Sequence, residues 1–275
     1  MTTDHRERFA AIAAGPDDEI QLDEAALLIA AEAEGDVDVD ARLEQLDTYA
    51  MRFQQDTHYR TDLGVPVSGL ISFIHTDLGF SGNVTDYYDP RNSYLNHVID
   101  TRQGIPISLA LVHLAIGRRL SIPVEGISFP GHFLIRYGQS SPIIVDPFSG
   151  RELSKADCQN LLRQIAGPRA TLIDEYFEAA APRDILIRVL DNLKQIFWRA
   201  KDWDESKACI ERQLLLLPDQ KEFNVQLGAV YEMQGNPDLA QHAYIQVLEA
   251  AEDDKLRQLA SKRLLALEST SKTIH

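Results

Sequence analysis

Cysteine, basic charge and long apolar runs are all in short supply in this chain of 275 residues. Its two cysteines, Cys158 and Cys209, cannot build a disulfide framework and read as reduced, packed thiols. The longest apolar stretch, around Ile107–Ile116 and broken by His113, falls far short of the roughly 20 residues a membrane span needs. The opening Met1-Thr2-Thr3-Asp4-His5-Arg6-Glu7 has no basic-then-apolar leader, so the expectation is a cytoplasmic protein with no membrane partner. Lysine and arginine number 27 against 42 acids, a net charge of −15 that would repel a polyanion and argues against a nucleic-acid partner. The 8 histidines include no i, i+4 pair, and neither Cys-x-x-Cys nor His-Glu-x-x-His occurs, so no metal is expected. A Walker loop and a Gly-x-Gly-x-x-Gly turn are missing too, and no cofactor is expected.

What is present suits a folded chain: 44% apolar and 25% charged residues. The charge is lopsided, with 14 acids against Arg6, Arg8 and Arg42 in the first fifty residues. That run reads as a solvated helix face. Asp36, Asp38 and Asp40 lack the glycine turn and terminal glutamate of a calcium loop. Helical spacing recurs through Ala26, Leu27, Ile29 and Ala30, through Leu43, Leu46, Tyr49, Ala50 and Phe53, and from about Val67 to Leu78. Ser81-Gly82-Asn83 and Asp89-Pro90-Arg91-Asn92 are loop chemistry. Gly104-Ile105-Pro106 then leads into a helix apolar almost all round, with Pro106 in the first turn where a missing N–H costs nothing. Strand-like runs follow at Val124–Phe129, His132–Tyr137 and Ile143–Val145, separated by Pro130-Gly131 and a hairpin-sized turn at Gly138–Pro142.

The C-terminal third repeats. A shift of 34 residues superposes Leu193 on Leu227, Phe197 on Tyr231, Ser206 on Ala240, Ile210 on Tyr244 and Leu214 on Leu248. This is the tetratricopeptide pattern of paired helices, in which small residues let two helices approach and an aromatic fills the gap. Lys194 stands where the pattern has glycine, and Glu252 where it has proline. The first helix of each pair would line a concave face bearing Arg188, Asp191, Gln195 and Trp198, a groove for a protein or peptide partner.

Asn92-Ser93-Tyr94-Leu95, Gly104-Ile105-Pro106-Ile107-Ser108-Leu109 and Phe129-Pro130-Gly131-His132-Phe133, with Val145-Asp146-Pro147 and the repeats, resemble a widespread family of bacterial proteins. That family joins a degenerate transglutaminase-like domain, of the papain-type thiol-enzyme superfamily, to tetratricopeptide repeats. The resemblance implies a cysteine at the helix start, a histidine that takes its proton, and an aspartate that orients the histidine. His132 and Asp146 match the last two roles. The cysteine position falls on Pro106, which can do no nucleophilic chemistry. The nearest hydroxyl, Ser108, points about 200° away around the helix. Cys158 reads as a packed thiol on an amphipathic helix capped by Ser154. Arg102, Asn92 and His132 could instead converge on an anion or amide, although Arg102 also reads as a solvated or ion-paired surface residue.

These readings predict a mainly helical α+β protein. Residues 1–181 form an N-terminal helical region and a transglutaminase-like core with a small antiparallel sheet. Residues 182–275 form a tetratricopeptide domain capped by a helix from about Asp254. Two functions of different class stay open. One is a non-catalytic scaffold or regulator. The other is a hydrolase or amide-modifying enzyme using His132 and Asp146 with Ser108 or an activated water. His132 should lie within hydrogen-bond reach of Asp146, close to the start of the Pro106 helix.

Overall fold

The computed structural model describes residues 2–56, 67–138, 142–250 and 252–273. They divide into two compact units, Met1–Val189 and Leu190–His275, and the division falls inside one helix.

In the first unit, helices α1 (Thr2–Ala14), α2 (Leu22–Glu34), α3 (Val39–Gln55) and α4 (Val67–Ser72), the last continuing as a wider turn over Phe73–Asp77, precede strand β1 (Ser81–Gly82). Helix α5 (Leu95–Thr101), strand β2 (Gln103–Gly104) and helix α6 (Pro106–Arg119) follow. α6 carries almost no polar face, and it is buried from Pro106 through His113 and again from Ala115 through Gly117. Helices α2, α3 and α5 pack around it, and strands lie against it. At its C-terminal end Gly117 allows close approach, since a Cβ there would come within 2.4 Å of Val124.

The sheet is an antiparallel meander in the order β3 (Val124–Ile127), β4 (Leu134–Tyr137), β5 (Ile143–Asp146) and β6 (Arg151–Leu153). Ile135 faces Val145 across the β4–β5 pair. β6 was not anticipated: Arg151-Glu152-Leu153 has neither the length nor the β-branched alternation that marks a strand. The turn expected at Gly138–Pro142 falls largely on residues 139–141, outside the described residues. Helix α7 (Lys155–Ala166) covers the sheet through a cluster of Ile127, Phe129, Leu134, Cys158 and Leu162. The Ser154 hydroxyl caps this helix by accepting from the Asp157 N–H.

The acidic N-terminal run turns out to be more than a solvated face. Asp23 is 2% exposed and pairs with Arg118 at 3.0 Å and Arg119 at 2.5 Å. Glu32 meets Arg6, Glu24 meets Arg8, and Asp47 meets Arg119. A carboxylate can be buried at Asp23 because two guanidinium groups supply both charge and donors. Asp38 caps α3 through the Ala41 N–H, and Asp40 pairs with Arg8, so the two serve separate ends. Among the described residues, no group of three or more His, Cys, Asp or Glu side chains could hold a metal.

Helix α8 (Pro182–Ala200) runs from the first unit into the second, which continues with α9 (Trp203–Leu216), α10 (Lys221–Met233), α11 (Pro237–Ala250) and α12 (Asp254–Thr273). α10 and α11 pair closely because Gly228 leaves room for the Tyr244 ring, which a Cβ would meet at 2.6 Å. Ala240, Tyr244, Val247 and Ala260 close the core of α11 and α12. Among the described residues, no helix is long and apolar enough to cross a membrane.

Candidate functional site

The β4–β5 hairpin brings together two residues fourteen positions apart. His132 lies in the turn before β4, and its Nε2 is 2.9 Å from Asp146 Oδ1 at the end of β5. An ionised carboxylate only accepts, so Nε2 carries the hydrogen. Nδ1 is left without a protein partner among the described residues. The side chains are 16% and 17% exposed, a site at the rim of the core. Burial raises the Asp146 pKa, but the hydrogen bond and charge of His132, the Ser149 hydroxyl and the Phe148 N–H outweigh it. The net result lies below the ordinary carboxylate value.

A short strap carries the start of α6 to this hairpin. β1 pairs in parallel with β2, Ser81 N–H donates to Arg102 O, and Asn83 N–H donates to Gly104 O. On its other side Gly82 N–H donates to Phe148 O at 2.9 Å. One backbone segment thus joins the residues just before Pro106 to the loop just after Asp146. The Phe148 ring lies so close over Gly82 that a Cβ there would come within 2.4 Å of it.

At the helix start, Pro106 occupies the first helical position. Ser108 is 0% exposed, and its hydroxyl donates to Asn92 O at 2.5 Å while accepting from Ile105 N–H at 3.1 Å. That oxygen closes the helix N-terminus and ties it to the preceding loop. Asn92, 5% exposed, is also structural in its contacts: its amide donates to Asp86 O at 2.6 Å and accepts from Asn83. Arg102 departs from the solvated or ion-paired reading. It ends α5 with a left-handed backbone, φ 62°, and its guanidinium stacks 4.8 Å from the centres of both Tyr49 and Phe80. Asn92, Arg102 and His132 therefore each engage a different set of partners.

Arg188 moves in the other direction. Expected on a repeat face, it donates Nη2 to the His132 carbonyl at 3.2 Å, because the first turns of α8 belong to the first unit. Together with Ser149, which donates to Asp146 Oδ2 at 2.8 Å, it completes the surroundings of the pair. Ser149 carried no sequence signal, since an exposed turn serine matches many unremarkable sites, and the repeat pattern drew Arg188 to a different surface. Asp191 accepts from Gln213 at 2.8 Å and pairs with Lys194 at 2.7 Å inside the second unit. Gln195 is exposed, and Trp198 is 37% exposed and edge-on to Trp203.

A cleft of about 700 Å³ lies between β5, β6 and α7, lined by Ile144, Lys155, Cys158 and Asp174 among others, and none of the groups around His132 reach it. Cys158 is 1% exposed there, and burial pushes its thiol pKa up, which suits a packed thiol rather than a nucleophile.

A second histidine system lies deeper. His75 Nδ1 is 2.8 Å from Phe80 O, so Nδ1 bears the hydrogen and Nε2 of the neutral ring accepts. His113 Nε2, 3.0 Å away, must then donate, which leaves His113 Nδ1 to accept from the Tyr137 hydroxyl. One arrangement of hydrogens satisfies the whole chain. His75 also packs on Gly150, four residues after Asp146, where a Cβ would meet its ring at 2.5 Å.

A family model for the transglutaminase-like superfamily matches residues 40–191. A UPF0162 protein of Xylella fastidiosa is 35% identical over 80% of both chains. The UPF0162 protein of Pseudomonas aeruginosa is 37% identical over 64% of both. F-box only protein 21 of Homo sapiens is 38% identical over 58% of this chain and 26% of its own length. No solved structure matches. With a matched region that contains the His132–Asp146 pair, the α6 start and the strap between them, the chain belongs to the transglutaminase-like superfamily.

Proposed function

We propose that this protein is a non-catalytic interaction scaffold or regulator, built from a transglutaminase-like core and a tetratricopeptide arm, and that it works in the cytoplasm. The observation that carries this reading is the start of α6. Pro106 is the first residue of this helix, where the family resemblance puts the thiol of the superfamily's enzymes, and proline has no nucleophile. The nearest hydroxyl, Ser108, is fully buried and already bonded on both sides. The helical pairs of the second unit, with Gly228 against Tyr244, support the repeat reading, and the exposed Trp198 and Gln195 offer a surface for a protein or peptide.

One observation favours the alternative, a hydrolase or amide-modifying enzyme. The His132–Asp146 pair is intact, and its uncommitted Nδ1 could act on a water. The full-length protein assayed on a panel of amide and ester substrates separates the two. The scaffold reading expects no turnover. Turnover by the native protein that vanishes in both His132→Ala and Asp146→Asn would overturn it.

A further inference from the structure

The loop from Asn83 to Asp89 exposes three apolar residues: Val84 at 80%, Tyr87 at 43% and Tyr88 at 62%. Loops that display aromatic rings are commonly soft, and this one is braced from within. Asn83 Oδ1 accepts from the N–H groups of both Thr85 and Asp86 at 3.1 Å. Asn92 holds the Asp86 carbonyl, and Tyr87 rests on Phe148 with ring centres 6.1 Å apart. Rings fixed in place before a partner arrives lose little entropy when it does, which is how aromatic anchors act at binding hot spots.

Beside this loop stands a cation. Arg188 is half-buried, and its charge reaches Tyr87, where it opposes the rise in the phenol pKa caused by burial. Its one hydrogen bond goes to a neutral carbonyl, that of His132. Among the described residues no carboxylate lies within ion-pair reach of it, whereas Arg6, Arg8, Arg42, Arg119, Arg136 and Arg183 in the same unit all have one. A guanidinium presents five donors in a fork suited to a carboxylate, and here most of the fork is uncommitted. The complementary group is an acidic side chain, whose two oxygens fit that fork.

We propose that Arg188 and the Tyr87–Tyr88 loop, beside His132, form a recognition corner for an Asp or Glu side chain flanked by apolar or aromatic residues in a partner peptide. This rests on the interaction reading of the protein. The carboxylate docks on the guanidinium, and the flanking residues cover Val84 and Tyr88.

The probe is a pool of heptapeptide amides with a fixed central Glu and randomised apolar or aromatic flanks, beside an otherwise identical pool with Gln. Both are titrated into the full-length protein by NMR. The Glu pool is expected to shift the Arg188 Nε–H and Tyr87 signals, and to bind at least about ten-fold more tightly than the Gln pool, as a charge-assisted bidentate contact requires. Arg188→Gln should abolish that preference, and Arg188→Lys, which keeps the charge without the fork, should restore part of it. Unchanged melting temperatures confirm that both variants are folded. Equal binding of the two pools, an undiminished preference in Arg188→Gln, or no binding of either pool up to about 1 mM would overturn the proposal. Mass spectrometry of the same samples keeps the two readings apart. Cleaved or modified peptide would overturn the non-catalytic reading, whereas intact peptide without binding would overturn this corner alone.

Discussion

His132 meets a carboxylate at the rim of the core unit, whereas His113 meets only neutral partners inside it. The residue type is the same and the fold is the same. At the rim, Asp146 stays ionised because His132, Ser149 and Phe148 N–H all stabilise its charge. In the interior, burial drives His113 well below the ordinary histidine value, helped by the neighbouring His75, and burial also lowers His75. Tyr137 is pushed well above the ordinary phenol value by burial alone. The rim site is organised around charge and the inner one around its exclusion. A buried chain of neutral groups specifies a unique packing, while a rim pair keeps a group that can still meet a ligand.

The comparison breaks most sharply at His113. Replacing His113→Ala opens a cavity, leaves the Tyr137 hydroxyl without an acceptor and deprives His75 of its donor. A loss of about 3–5 kcal/mol in urea denaturation is expected. His132→Ala, at a part-exposed position with water as substitute, should cost about 1 kcal/mol or less. Similar losses for the two would mean that the inner chain is not the structural one.

Acid should act on the same difference. His75 and His113 have folded pKa values below the unfolded value of about 6.5. Above that value neither state binds the proton, and the stability held in the neutral chain is fully present. As pH falls below it, the unfolded chain takes up protons that the folded chain refuses, so stability drops by about 1.4 kcal/mol per pH unit for each histidine kept neutral. Denaturation curves between pH 7 and pH 5 check this. His113→Phe should flatten the slope, and a slope unchanged by that variant would assign the acid sensitivity elsewhere.

The strap offers a smaller test, aimed at the rim alone. Gly82→Ala places a methyl against the ring of Phe148, whose own N–H holds Asp146. The expected cost is about 1–3 kcal/mol, as for other overpacked sites. The His132 ring signals should shift in NMR while those of His113 stay in place.

These two sites also show what could be read before any coordinates. The rim pair was legible because its residues sit in short marked stretches, Pro130-Gly131-His132 and Val145-Asp146-Pro147, on either side of a hairpin. α6 was legible from a run that is apolar almost all round, and the helices of the second unit from their 34-residue period. The inner chain was not legible. His75, His113 and Tyr137 come from three distant elements. Asp23 misled for a related reason: a charged residue among charged residues reads as solvated until its partners, Arg118 and Arg119, arrive from some ninety-five residues away. Side-chain pairing over such distances leaves no local pattern.

Pro106→Cys sharpens the comparison with the least disturbance. Proline at the first helical turn contributes mainly by stiffening the unfolded chain, so its loss should cost about 1 kcal/mol or less. If the start of α6 faces the rim pair, the new thiol enters a field shaped by a helix N-terminus and by His132, both of which favour a thiolate. Alkylation by iodoacetamide at pH 6.5 should then be fast in this variant and fall about ten-fold or more when His132→Ala is added. The native thiols give a quiet background. Burial raises the pKa of Cys158 and pushes that of Cys209 up to about 12, and both are 1% exposed. A new thiol no faster than these, or one indifferent to His132, would separate the start of α6 from the pair. A fast, His132-dependent thiol would mean that the rim keeps the architecture of a thiol enzyme with a single atom group missing.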